Sequence, residues 1–185
     1  MQAPTHILAG VIIQKCFARM RYRKLALGLT AVTAFLSHGF LDKLAQMTFH
    51  PANPDFHSPV WVTYHIMVAI VTVLFLVLWW RRWKWGIFFA VLPDVDWIFI
   101  HGQEIFHFRI PFYTQPHLHP FLKFIYEKIP PFSWVTPYLD RLPNYRHNPW
   151  AALWEALLVF VMLAIFRLLK PAKPPETMPA KLEAA

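Results

Sequence analysis

Two long apolar runs, residues 60–80 and 149–169, constrain the fold of this chain most. The first run carries only His65 as a side chain that ionises near neutral pH. The second carries only Glu155 and, near its end, Arg167. At about 1.5 Å per residue, a helix of this length crosses the roughly 30 Å hydrocarbon core of a bilayer. The two runs therefore predict membrane-spanning helices.

Three other segments are predominantly apolar but contain polar residues. Residues 25–45 hold His38 and Asp42, residues 85–100 hold Asp94 and Asp96, and each segment is long enough to be a further span. Residues 6–20 have a shorter apolar stretch, which is consistent with a short span, a re-entrant segment or an interfacial helix. The expected fold is an all-α integral membrane bundle of about five membrane segments.

The rest of the chain is divided between loops and a tail. The long segment 101–148 is rich in Pro, Phe, Tyr and His, and residues 121–129 within it form an amphipathic stretch suited to the headgroup boundary. This segment predicts an interfacial outer loop. Residues 1–170 are expected to form one helical membrane domain, and the proline-rich residues 171–185 a disordered cytoplasmic tail.

Basic residues predict the orientation of the chain. They occur in short runs next to apolar segments, and the positive-inside rule places such runs in the cytoplasm. An alternating path through five segments satisfies all of them with the N-terminus outside and the C-terminus inside. The three runs are Lys15, Arg19, Arg21, Arg23 and Lys24; Arg81, Arg82 and Lys84; and Arg167, Lys170 and Lys173.

Membrane topology also accounts for the formal net charge of +8 better than nucleic-acid binding does, because the positive charges flank apolar spans. Membrane lipids are therefore the expected partners. The N-terminus lacks a basic region before its apolar stretch, so no cleaved signal peptide is expected. The one cysteine, Cys16, allows no internal disulfide and leaves the redox compartment open.

Histidine and carboxylate residues inside the apolar segments are the main indication of function, because ionisable groups in a bilayer are costly and usually mark a functional site. Counted at about 1.5 Å per residue from the nearest cytoplasmic basic residue, those in the later segments lie at heights of about 15 to 27 Å, in the outer half of the membrane. These residues are His38, Asp42, His65, Asp94, Asp96 and Glu155, and His6 and His147 are expected at the same level.

Spacing favours metal binding by two pairs. His38 and Asp42 are four residues apart, so on a helix they share a face and can bind one cation. Asp94 and Asp96 diverge on a regular helix, but Pro93 can bend the chain so that both face one cavity. Alternatively, one of these carboxylates binds the metal and the other orients a histidine or takes a proton.

Other residues allow plainer interpretations. His65 can form a hydrogen bond across helices, His6 can lie at the membrane surface, and Glu155 can pair with an interfacial arginine. For the remaining histidines a solvated or interfacial position in the outer loops is the default expectation. These are His50, His57, His101, His107, His117 and His119.

Three short motifs resemble those of a known family. They are Thr5-His6-Ile7-Leu8-Ala9-Gly10, Leu92-Pro93-Asp94-Val95-Asp96, and His147 at the head of the last apolar run. Together they resemble the bacterial inner-membrane metal-dependent hydrolases, whose members include LexA-regulated proteins. The resemblance implies a bacterial inner-membrane location and metal ligands at His6, Asp94, Asp96 and His147.

The chain departs from that family at its third motif, where residues 145–149 replace a pair of histidines, and it adds the pair His38 and Asp42. The spacing of this pair is similar to one used by zinc-dependent phospholipases C, which are all-helical.

The expected function is metal-dependent hydrolysis of a lipid or lipid-linked phosphoester at the outer face, with zinc as the most suitable metal. Asp96 or Glu155 is expected to act as general base. One alternative is a transporter or structural membrane protein that uses the same polar cluster. Another is a haem-binding subunit with axial histidines, which three carboxylates at the same depth disfavour.

Overall fold

The computed structural model describes residues 2–51 and 55–169, and all regular structure in these ranges is helical. The seven α-helices are α1 (Ala3–Phe17), α2 (Arg23–Leu44), α3 (Pro59–Val91), α4 (Val95–Ile105), α5 (Leu118–Lys128), α6 (Phe132–Leu139) and α7 (Ala152–Leu168). Short 3-10 helices cover Ala45–Met47, Leu92–Asp94 and Pro149–Ala151. The all-α prediction is confirmed. The tail 171–185, predicted to be disordered, lies outside the described residues.

Within residues 2–51 and 55–169, three helical stretches are long and apolar enough to cross a membrane: Arg23–Met47, Pro59–Ile105 and Pro149–Leu168. They indicate a membrane protein. This count does not confirm five separate segments, for two reasons. Helix α1 has 15 residues, and the predicted segments 60–80 and 85–100 belong to one continuous helical stretch.

The first arm of α3, residues 59–82, runs parallel to α7. The Tyr64 hydroxyl donates a hydrogen bond to Glu155 near the start of α7. Further along, the ring of Trp79 packs on Phe166 near the end of α7, with ring centroids 5.4 Å apart. Helix α1 runs in the same direction, since its own contacts with α7 also begin at Glu155 and end at Phe166.

The second arm of α3, residues 84–91, contacts α1 in the opposite order. The Gly86 N–H donates to the side chain of Gln14, near the end of α1, whereas Ala90 lies beside Gly10, closer to its start. Between the arms, Trp83 leaves helical geometry with φ −123° and ψ 23°. The chain therefore reverses direction at Trp83, next to the basic residues 81–84.

Helix α1 lies at the centre of the bundle. Its residues 4–11 are all buried, and α2, both arms of α3 and α7 pack around it. A helix that is apolar on every side is typical of such a buried position. At its far end, Lys15 donates a hydrogen bond to the Phe166 carbonyl at 2.6 Å. The sequence left three states open for residues 6–20 and did not predict that other helices would enclose this segment, because sequence alone does not show what surrounds it.

Helix ends and bends follow the local sequence. Ser58 caps α3 by accepting a hydrogen bond from the Trp61 N–H, and Asn148 accepts one from Trp150, each with a proline at the first helical position. Pro93 lies in the 3-10 helix Leu92–Asp94, which separates α3 from α4. The regular α-helix is therefore interrupted at Pro93, just before the two carboxylates Asp94 and Asp96.

Candidate metal centre

Five side chains from four different segments converge at one end of the bundle. His6 comes from α1, His38 and Asp42 from α2, Asp94 from the 3-10 helix, and His119 from the first turn of α5. Two overlapping groups of possible metal ligands result, and His38 belongs to both. Within each group the nitrogen and carboxylate oxygen atoms all lie within 4.8 Å of one another. We call these five residues the His/Asp cluster.

Asp42 connects the members of the cluster. Its Oδ1 lies 3.4 Å from His6 Nε2, and its Oδ2 lies 3.2 Å from His38 Nε2. The same Oδ2 lies 3.7 Å from His119 Nε2, and His38 Nε2 lies 3.5 Å from Asp94 Oδ1. The two carboxylates are about one third exposed, whereas His6 and His38 are buried. The cluster is therefore enclosed on its histidine side and open on its carboxylate side.

The proton of His38 is fixed by its surroundings. Its Nδ1 lies 2.8 Å from the Ala90 carbonyl oxygen, and since a carbonyl only accepts, Nδ1 carries the hydrogen. Nε2 then presents its lone pair to the cluster. Buried polar atoms in proteins nearly always have a hydrogen-bond partner, but His38 Nε2 and both ring nitrogens of His6 have none among the described residues. The two rings stack with centroids 3.9 Å apart.

Asp96 fixes the ring of His119. Its Oδ2 accepts a hydrogen bond from the His119 backbone N–H at 2.8 Å. The same oxygen lies 3.1 Å from His119 Nδ1. His119 Nε2 accepts a hydrogen bond from the Trp97 indole at 3.2 Å, so the lone pair is on the nitrogen that faces Asp42. A metal ion would take the place of that indole donor. A carboxylate that orients a ligating histidine in this way is common around metal sites.

The other oxygen of Asp96 holds the preceding loop. It accepts hydrogen bonds from the Tyr113 hydroxyl and from the His117 backbone N–H. Burial, together with the hydrogen bond to Asp96, raises the pKa of Tyr113 to about 12, so its hydroxyl keeps its proton. Both oxygens of Asp96 are thus occupied, and the side chain is fully buried. Two outcomes were predicted for Asp94 and Asp96. The geometry matches the second, since Asp94 faces the cluster and Asp96 orients a histidine, His119.

Distances in the cluster match ligand atoms around a metal better than direct hydrogen bonds. Hydrogen bonds between a charged imidazole and a carboxylate are about 2.7–2.9 Å long, shorter than the 3.2–3.7 Å observed here. A tetrahedral ion with ligands at about 2.0–2.2 Å separates neighbouring ligand atoms by about 3.3–3.6 Å. The donor set of imidazole nitrogens and carboxylate oxygens therefore has the dimensions of a divalent cation site.

Besides Asp96, three predicted site residues lie outside the cluster. The Glu155 carboxylate accepts hydrogen bonds from the Gln2 N–H, the Thr5 hydroxyl and the Tyr64 hydroxyl, so it anchors the start of α1. His65 is bound within its own helix, with Nδ1 2.8 Å from the Trp61 carbonyl oxygen. His147 is exposed in the loop before α7 and belongs to neither ligand group.

His119 was missed at the sequence level because it lies in a loop-rich segment among other histidines. Its position on α5 was the available signal. His119 precedes Leu122 by three residues and Tyr126 by seven, so it shares the buried face of that amphipathic helix. Gly39 of α2 allows this face to approach closely, since a Cβ on Gly39 would lie 2.7 Å from the Tyr126 ring.

Comparisons with protein-family models, curated proteins and solved structures find no match to this chain. The resemblance to bacterial inner-membrane metal-dependent hydrolases accordingly stays a prediction. What the fold and the site define is a helical membrane protein with a His/Asp cluster of metal-binding dimensions.

Proposed function

We propose that the protein is a membrane-embedded, metal-dependent hydrolase that acts on a lipid or lipid-linked phosphoester at the outer face of the membrane. One observation carries the proposal. Buried imidazole nitrogens of His6 and His38 lack hydrogen-bond partners among the described residues and lie within 3.2–3.5 Å of the Asp42 and Asp94 carboxylates. A cation bound between them would be coordinated by the lone pairs of these nitrogens and of the carboxylate oxygens together.

The five residues of the His/Asp cluster are the proposed metal ligands. Mixed imidazole and carboxylate ligation suits zinc, and zinc is the metal we propose. His38 and His119 each have Nδ1 held by an acceptor, which leaves Nε2 free of its proton for metal binding. Asp96 would act on the metal through His119.

A divalent cation at this position would polarise a phosphoryl oxygen and acidify a coordinated water molecule. The chain must then supply a proton acceptor that reaches the open side of the site. Asp42 and Asp94 are the best placed, because each is about one third exposed there and a carboxylate that binds the metal through one oxygen keeps the other oxygen for the proton. The predicted bases Asp96 and Glu155 are less suitable, since hydrogen-bond donors already surround their buried carboxylates.

We propose five membrane segments, with the two arms of α3 counted separately. The reversal at Trp83 supports this count, because it places the basic residues 81–84 at the same end as Lys15 and Arg167. The positive-inside rule assigns that end to the cytoplasm. The His/Asp cluster lies at the opposite end and would face outward.

A lipid substrate is supported by the neighbourhood of the cluster. Helix α5 carries His119 on its buried face and exposes Phe121 and Phe124, which are 52% and 54% accessible. A helix with exposed aromatic rings on one side and Lys123 between them is typical of the headgroup boundary. The cluster would therefore stand at the height of lipid phosphates.

A transporter would need a polar path through the rest of the bundle. In the inner halves of the helices the sequence offers little for such a path beyond Thr30, Thr33 and Thr72, and the hydroxyls of Thr30 and Thr72 each donate to a carbonyl of their own helix. These two hydroxyls therefore have no hydrogen left to donate to a passing ligand. We therefore favour the hydrolase over the transporter.

Metal analysis of the purified protein tests the proposal. We expect about one equivalent of zinc in the parent protein and well below one in His38→Ala, His119→Ala and Asp94→Ala, because each variant removes a ligand. His117→Ala is the matched control, since His117 lies two residues from His119 and its ring is exposed. Full occupancy in the three ligand variants would exclude the metal centre, and a strong visible absorption band would indicate haem instead.

A further inference from the structure

A cleft of about 530 Å³ opens beside Asp42 and His119, between α2, α5 and the loop before α7. We propose that Arg146, in the wall of this cleft, binds the phosphate group of the substrate. This inference rests on the proposed function and names the residue that selects an anionic ligand.

Three cations line the cleft, and two of them already have acidic partners. Lys43 Nζ lies 2.7 Å from Asp140 Oδ1, and Lys123 Nζ lies 3.8 Å from Glu127 Oε1. Arg146 forms no salt bridge with any residue in the ranges 2–51 and 55–169, and its buried Nε has no hydrogen-bond partner there. Its positive charge is therefore available to a ligand.

The backbone holds Arg146 in position. The Tyr145 N–H donates to the Gln46 carbonyl at 2.6 Å, and the His50 N–H donates to the Arg146 carbonyl at 3.0 Å. These two bonds attach the loop before α7 to the segment that follows α2, one turn after Asp42. The guanidinium thus reaches the cleft from a fixed backbone, which reduces the entropy lost when a ligand binds.

Phosphate matches this arrangement chemically. A guanidinium presents two parallel N–H groups that pair with two phosphate oxygens, whereas an ammonium acts as a point charge. A phosphoester lying in the cleft can turn one oxygen toward the His/Asp cluster and others toward Arg146. Arg146 would then bind the substrate from the side opposite the metal ligands.

Phosphate binding to the zinc-loaded, detergent-solubilised protein tests the inference. Isothermal titration calorimetry with inorganic phosphate and with glycerol 3-phosphate should show Arg146→Gln to bind about ten- to hundredfold more weakly than the parent protein, because a charged hydrogen-bond partner is lost. Arg146→Lys should lie between them. Arg141→Gln is the matched control, since Arg141 is exposed nearby but does not line the cleft.

A second arm distinguishes the source of the phosphate. In phosphatidylcholine nanodiscs with added phosphatidate, native mass spectrometry should show phosphatidate retained by the parent protein and lost from Arg146→Gln. If binding depends on Arg146 only in the phosphatidate arm, the ligand is a lipid headgroup. If binding depends on Arg146 only in the calorimetry arm, the ligand is a soluble phosphoester. Either result supports the subsite.

Zinc content, measured in the same samples, separates this inference from the proposed function. Arg146→Gln should keep the zinc of the parent protein. If the parent protein binds no metal, the hydrolase proposal fails, and Arg146-dependent phosphate binding by the metal-free protein would still support the subsite. Equal binding by Arg146→Gln and the parent protein in both arms, or no binding by either protein in both arms, would overturn it.

Discussion

At the scale of single residues, the histidines of the cluster differ in how they are held. His38 and His119 each have one ring nitrogen fixed by an acceptor, Ala90 O and Asp96 Oδ2 respectively. His6 lacks such a partner among the described residues and is positioned by stacking on His38. Leaving a buried polar group unpaired costs about 1–3 kcal/mol, so His6 is the residue that gains most from a bound cation.

Asp96 should act as a positioning residue rather than a ligand. We expect Asp96→Asn to weaken zinc affinity about 10- to 100-fold, as loss of a carboxylate behind a ligating histidine does elsewhere. Competition with a chelator of known affinity measures the change. Cobalt-loaded protein provides a second readout, because a reoriented His119 alters the visible absorption of the cobalt ion.

Glu104→Gln is the control for Asp96→Asn. Glu104 lies on the same helix, eight residues later, and is exposed. Its neutralisation should leave zinc affinity unchanged. If both variants bind zinc as the parent protein does, Asp96 serves only to hold the loop that carries Tyr113 and His117.

At the scale of helices, the site depends on how closely α1 approaches the second arm of α3. Gly10 and Gly86 meet backbone to backbone, and a Cβ added to either would lie 2.2 or 2.1 Å from the opposite carbonyl oxygen. This contact brings α1, with His6, next to Ala90, whose carbonyl fixes His38. Small residues at a membrane helix interface commonly permit such an approach.

Gly10→Ala and Gly86→Ala should therefore separate the two helices. We expect each to destabilise the fold by about 1–3 kcal/mol, the usual effect of overpacking, and to lower zinc content because His6 moves away from Asp42. Thermal unfolding in detergent and metal analysis of the same preparations measure both effects.

Gly28→Ala provides the comparison for these two variants. Gly28 lies within α2, and no atom would come within 4 Å of an added Cβ. Alanine at an open helical position stabilises a helix by up to about 1 kcal/mol relative to glycine. Equal melting temperatures for all three alanine variants would mean that the contact between Gly10 and Gly86 does not set the packing.

At the scale of the whole molecule, the sequence predicted what depends on local pattern. Apolar run length predicted the helices, the local pairs Ser58-Pro59 and Asn148-Pro149 mark two of their starts, and Pro93 marks the 3-10 helix that follows α3. The pairing of Asp42 with His38 followed from helical spacing. All of these features depend on residues close together in the chain.

Long-range features were less predictable. His119 lies beside Asp42 although the two residues are 77 positions apart in the sequence, and no local pattern encodes such a contact. The same limit explains why Glu155 was expected in the site. Its depth was compatible with the cluster, but its hydrogen bonds to Thr5 and Tyr64 place it on another side of α1. Depth in a membrane follows from the sequence, whereas direction around a helix bundle requires the packing.

The reversal at Trp83 makes a prediction about the topology of the whole chain. If both ends of the α3 and α4 stretch face outward, a cysteine at its start and one beyond its end should be accessible from outside, and one near Trp83 should be accessible only from the cytoplasm.

In a Cys16→Ser background, we expect His57→Cys and Thr114→Cys to react with an impermeant maleimide in intact cells. Arg82→Cys should react only after permeabilisation, and a reporter fused after Lys170 should be cytoplasmic. If His57→Cys and Thr114→Cys were labelled from opposite sides, the chain between them would cross the membrane once rather than twice. That result would contradict the proposed topology, in which the His/Asp cluster faces outward.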